Sequence, residues 1–140
     1  MKLVGFNFNK ISIEKFSDNL KDLKIDTNLD ISDIKELKQG IFKTKEDLIL
    51  LDFNFTIDYS PKIAKIDFKG RIIFSLESKK AKEIIKDWEK KKTNDEFRII
   101  AFNLILRKAS IRALQLEEEM NLPPHLTLPL IKKKEEPAKK

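Results

Sequence analysis

The stretch from Leu51 to Leu76, LDFNFTIDYSPKIAKIDFKGRIIFSL, constrains the fold of this 140-residue chain more than any other. Leu51, Phe53, Phe55, Ile57 and Tyr59 occupy alternate positions, with Asp52, Asn54, Thr56 and Asp58 between them. A period of two is the mark of a strand with one apolar and one solvated face. The sequence DYSPK then turns the chain, with Pro61 setting the corner. Beyond it Ile66, Phe68, Ile72, Phe74 and Leu76 share one parity again. Gly70 falls among them, where a bend or bulge is expected. Leu48 and Leu50 break the alternation, so that end of the strand is expected to be covered on both faces.

Two further strands precede this pair. In VGFNFNKISIEKF, Val4, Phe6 and Phe8 are even, whereas Ile11 and Ile13 are odd. A parity switch within one strand predicts a bulge near Asn9 and Lys10. In LKIDTNLDIS, Leu23, Ile25, Leu29 and Ile31 share a parity. Four strands, each with one apolar face, make an antiparallel sheet with one face in water.

The last third has helical spacing. Ala81, Ile84, Ile85 and Trp88 follow i, i+3, i+4, i+7, which reads Trp88 as core. A second, longer helix begins at a cap-like Thr93, Asn94 or Asp95 and runs to about Met120. It carries two apolar stripes. Phe97, Ile100, Ala101, Leu104 and Ile111 form one; Ile99, Phe102, Leu106, Ala109, Ala113 and Leu116 form the other. One four-stranded sheet buries one stripe, and a helix apolar most of the way round needs a second cover. The second stripe therefore predicts a further covering layer: another subunit, the chain's own C-terminal ribbon, or both. A homo-oligomer is expected, with Ile99, Phe102, Leu106, Ala109 and Ala113 at its interface. After the helix, Pro123 and Pro124 force an extended ribbon, NLPPHLTLPLI. Leu126, Leu128 and Leu130 share one side of it, which is expected to lie along the long helix or a sheet edge. The fold class is thus α+β: a four-stranded antiparallel sheet with one face packed on a long C-terminal helix. Residues 1–131 are expected to form one domain, and KKKEEPAKK, residues 132–140, a charged, disordered tail.

Composition removes several function classes. There is no cysteine and only one histidine, which excludes a disulfide, a thiolate nucleophile and a His/Cys zinc site. Three glycines, Gly5, Gly40 and Gly70, leave no phosphate-binding loop. His125 is read as a partly exposed loop residue rather than a base or pH sensor. Glu117, Glu118 and Glu119 are read as a solvated helix end rather than a contact for a basic partner. No enzyme, metal or cofactor is expected. The net charge is +6, but half of it sits in the tail. Only four of the 29 basic residues are Arg, the side chain favoured for phosphate and base contacts. Nucleic acid is therefore disfavoured as a partner. No apolar run approaches the ~20 residues of a membrane span, and no signal-peptide core opens the chain. The expected location is the cytoplasm.

The order of elements, with the alternation in FNFNKI at Phe6–Ile11, the strand pair around Pro61 and the Leu/Pro stretch after the long helix, resembles the SecB-like fold family. The likeness extends over about Phe6 to Ile131. It implies an ATP-independent chaperone that holds unfolded or extended polypeptide in apolar grooves and assembles as a dimer or a tetramer. It also implies that the polypeptide-binding positions are Phe97, Phe102, Leu106, Leu122, Leu126, Leu128 and Leu130. Export chaperones of the family are acidic and carry a further helix after the prolines, whereas this chain is basic and ends in a charged tail. It is therefore closer to the family's distant relatives, in archaea or beside toxin–antitoxin pairs, than to a protein-transport factor. Two alternatives stand beside the holdase: a structural or adaptor protein for one folded partner, and a ribosome- or RNA-associated factor using the Lys-rich tail.

Overall fold

The computed structural model describes residues 1–37 and 46–133. The tail expected over residues 132–140 is thus described only at Lys132 and Lys133, both exposed; the rest lies outside the described residues. Four strands, β1 (Lys2–Lys15), β2 (Lys24–Leu37), β3 (Glu46–Ser60) and β4 (Ala64–Glu77), are followed by α1 (Ser78–Glu89) and α2 (Asp95–Glu119). The strands form one antiparallel sheet in the order β1-β4-β3-β2, with both helices packed on one face. The α+β expectation holds.

Strict alternation made β3 and β4 the centre of the core. Ile49, Leu51, Phe53, Phe55, Ile57 and Tyr59 are buried, as are Ile66, Phe68, Ile72, Phe74 and Leu76. Their intervening side chains face water and pair across strands. Asp52 accepts from Arg71 Nε at 2.7 Å and from Nη2 at 3.2 Å. Leu48 and Leu50 are half-buried, but not under a second layer. They stand opposite Leu37 and Ile73 respectively, forming a small apolar cluster on the face away from the helices.

The parity switch in β1 is a bulge, since register shifts between Phe8 and Lys10. It keeps Phe6 and Phe8 on the same face as Ile11 and Ile13. Gly70 lies opposite Phe8, but β4 itself runs through in register with β3. The glycine serves space rather than curvature. A Cβ there would sit 2.6 Å from the Asn7 carbonyl oxygen and 2.4 Å from the Phe53 ring. Two irregularities have no counterpart in the sequence reading. One falls between Leu3 and Gly5 in β1, the other between Ile31 and Asp33 in β2. The second reverses parity, and Ile34 is buried because of it.

Asn94 is the N-cap of α2, its side chain accepting from Phe97 N at 3.2 Å. Asp95 and Glu96 in the first turn complement the helix dipole. At the other end Asn121 adopts a left-handed conformation with φ 54°. Leu122 N then donates to Glu117 O at 2.8 Å and Asn121 N to Glu118 O at 3.3 Å. That pair of bonds is a Schellman stop. Leu122 turns inward and is buried.

Candidate polypeptide-binding surface and its anchor

The two stripes expected on α2 are divided differently in the structure. The buried positions are Phe97, Ala101, Ile105, Ala109 and Ala113, joined toward the C-terminal end by Ser110, Leu116 and Glu117. Steps of four advance about 40° around a helix of 3.6 residues per turn, so this face winds as it crosses the sheet. Ala109 and Ala113, expected at an oligomer interface, are fully buried against the chain's own core. Ile100 and Ile111, expected to face the sheet, are exposed. Ile105, in neither stripe, is fully buried.

What remains outside is apolar on two flanks. Ile99 (55% exposed), Leu106 (39%) and the half-buried Phe102 lie on one. Ile100, Ile111 and the half-buried Leu104 lie on the other. Of the positions expected to touch polypeptide, Phe97 and Leu122 are buried; Phe97 packs its ring on Phe74 with centroids 5.6 Å apart. Leu106, Leu126, Leu128 and Leu130 are exposed. The ribbon's apolar side, expected to lie along the long helix or a sheet edge, is exposed within this chain. Exposure climbs along it to 77% at Leu130 and 105% at Ile131.

The ribbon is nonetheless fixed at its root, by residues read from sequence as exposed. His125 and Glu117 have side chains only 1% exposed. Glu117 follows Ala113, Ala109 and Ile105 at intervals of four, and that spacing is the signal that places it inward. Its carboxylate accepts from His125 N at 2.9 Å and lies 2.8 Å from His125 Nδ1. A carboxylate oxygen accepts, so Nδ1 carries a proton and Nε2 can accept from Ser110 Oγ, 3.3 Å away. The Tyr59 hydroxyl, from β3, donates its one proton to the Glu117 carboxylate or to the Pro123 carbonyl, 2.8 Å away. Burial above all, then the Glu117 carboxylate, holds the Tyr59 phenol far above its usual range. The His125 ring also meets the edge of Phe55. Sheet, helix and ribbon are thereby joined at one buried point.

Serine, imidazole and carboxylate in that order have the connectivity of a hydrolytic relay. The setting denies it that chemistry. Ser110 is buried in mid-helix, where backbone N–H groups are committed to the i−4 carbonyls, so no donor pair faces a developing oxyanion. The cluster is an anchor. No group of three or more His, Cys, Asp or Glu that could hold a metal ion occurs among the described residues. No helix among them is long and apolar enough to cross a membrane.

A four-stranded antiparallel sheet backed by a short and a long helix, with the chain leaving as an extended ribbon, is the SecB-like fold. No protein-family model and no curated protein matches the sequence. Among solved structures the chain is similar to the Mycobacterium tuberculosis Rv1957 SecB-like chaperone, in complex with a ChAD peptide from the Rv1956 HigA1 antitoxin. The TM-score is 0.54 at 9% identity, over 96% of this chain and 92% of that one. At that identity the likeness is one of fold.

Proposed function

We propose that this protein is an oligomeric, ATP-independent chaperone, not an enzyme, that holds extended polypeptide against the uncovered flanks of α2. The observation that carries this reading is the exposure of Ile99, Ile100, Leu106 and Ile111 on a helix whose other side is already buried. Apolar surface of that extent on a folded domain marks an interaction site. Copies pair across the outward face of α2, and the ribbon Leu126–Ile131 borders the groove in which a client lies. Residues 1–131 act as one domain in the cytoplasm. The similar fold of a chaperone that binds a peptide supports a polypeptide ligand.

The test is suppression of aggregation of a chemically denatured client at stoichiometric ratios without nucleotide. Protection is expected, and Leu106→Asp is expected to weaken it and to shrink the assembly, because a buried unpaired charge costs several kcal/mol. A folded, oligomeric protein giving no protection would overturn the holdase reading. The second reading is an adaptor for one dedicated polypeptide. It is favoured by the neighbour, whose bound peptide comes from a single antitoxin. Recovery of one partner rather than a spread of clients would select it.

A further inference from the structure

A cavity of about 370 Å3 lies between α1 and the N-terminal end of α2. Its floor is apolar: Leu76, Ile84, Phe97 and Ile100. Its rim carries three carboxylates, Glu83, Asp87 and Glu96, against Lys80, with Met1 and Asn94 completing the lining. None of these three carboxylates has an ion-pair partner among the described residues. The ribbon has the opposite character in matching order. Leu128, Leu130 and Ile131 are exposed and apolar, and Lys132 and Lys133 follow them. Each feature lacks what the other offers.

The chain's own ribbon is poorly placed to fill its own cavity. His125 is locked against Ser110 and Glu117, so six residues, reaching at most ~20 Å, separate the lock from Ile131. Ser110 to Phe97 is also about 20 Å along the axis at 1.5 Å per residue. Phe97, on the cavity floor, also points about 140° around the helix from Ser110. A ribbon that uses its whole length along the axis has none left to cross that arc.

A second copy is better placed. A two-fold axis through the outward face of α2 sets the two helices antiparallel. The exposed Ile99, Ile100, Leu106 and Ile111, with the half-buried Leu114, centre on Leu106. About that centre Ser110 of one copy lies beside Phe102 of the other, and Glu117 beside Asp95. The locked root of each ribbon therefore lies at the axial level of the other copy's cavity, which leaves the ribbon's length free to cross the seam. We propose that the cavity between α1 and α2 receives the ribbon Leu126–Lys133 of a second copy of this chain. Its leucines enter the apolar floor, and Lys132 and Lys133 meet Glu83, Asp87 and Glu96. The exchange is reciprocal, so two clasps close one pair. The inference rests on the pairing of copies across α2 given above.

The sequence contains no cysteine, so introduced thiols report without background. Chains carrying Ile131→Cys are mixed with chains carrying Glu83→Cys, allowed to exchange, and oxidised. A second combination, Leu130→Cys with Asp87→Cys, allows for the register of the ribbon. The expected result is a disulfide-linked species at twice the chain mass joining the two variants, lost when Lys132→Glu and Lys133→Glu are added to the ribbon. A double variant that links only within one chain would overturn the second copy as occupant. No link in either combination, from protein that sizes as a pair or larger, would overturn the clasp while leaving the pairing intact. A wild-type chain that sizes as a monomer would overturn the pairing and the clasp with it.

Discussion

Replacing Glu117 with Ala tests whether the buried cluster anchors the ribbon or merely lies beneath it. Three donors face the carboxylate: Tyr59 OH, His125 N and His125 Nδ1. Tyr59 loses little, because the Pro123 carbonyl is 2.8 Å from its hydroxyl and can take its proton. The two His125 groups have no such alternative. A buried donor left without an acceptor costs about 1–3 kcal/mol, so Glu117→Ala is expected to cost roughly 2–6 kcal/mol. Set against a total stability of about 5–15 kcal/mol for a small domain, that is a large fraction. The adjacent Glu118 is exposed, and Glu118→Ala should stay within ~0.5 kcal/mol of wild type. Urea unfolding measures the cost. Hydrogen exchange locates it: the His125 amide should lose protection, whereas the Leu122 amide, bonded to the Glu117 carbonyl, should keep it as long as α2 stays folded. A Glu117→Ala protein within about 1 kcal/mol of wild type, with His125 still protected, would refute the anchor.

Gly70→Ala is expected to destabilise by roughly 1–3 kcal/mol, as overpacking of a filled core does. Urea midpoints would show it, with partial recovery in Gly70→Ala combined with Phe53→Leu, because only the ring and not the Asn7 carbonyl can withdraw. Tyr59 is the only tyrosine, so absorbance of the phenolate reports on it alone. Its folded-state proton is held far above the ordinary value near 10, so above pH ~10 the unfolded chain loses a proton that the folded chain keeps. Stability contributed by this group is full below pH ~10 and falls by up to ~1.4 kcal/mol per pH unit above it. Tyr59→Phe should flatten that part of the stability curve; an unchanged alkaline slope would contradict the assignment.

Period-two patterns made the sheet legible. Alternation from Leu51 to Tyr59 and from Ile66 to Leu76 fixed which faces are buried, and the odd–even switch after Phe8 located a bulge. The irregularity at Ser32 was not legible, because Asp30, Ser32 and Asp33 are all polar and the parity change appears only at Ile34. On α2, a fixed helical face was the wrong template. Small residues at Ala101, Ala109 and Ala113 let the backbone approach the sheet, and the buried face winds with them. The candidate surface was therefore half legible. Ile99, Phe102 and Leu106 lie on an outward flank as read, whereas Ile100 and Ile111 on the other flank were assigned to the core. His125 and Glu117 carry polar side chains that look solvent-bound one at a time. Spacing at intervals of four places Glu117 inward, but the burial of the pair also depends on Tyr59 from β3 and on the return of His125 over α2, which no helical window contains.

The strand order β1-β4-β3-β2 has a consequence for how the chain reaches this fold. Among the described residues β2, β3 and β4 pair with their neighbours in sequence, but β1 pairs only with β4, so Phe6 must wait for Ile72. At ~5–20 residues per second, translation keeps β1 without its partner for several seconds. During that interval Phe6, Phe8, Ile11 and Ile13 are apolar strand with an open edge. A three-stranded β2–β4 hairpin array can form first, and β1 joins it late through contacts of long sequence separation, the slow class of folding step. A protein proposed to hold the unfinished chains of others thus carries, during its own synthesis, a segment that fits the same description.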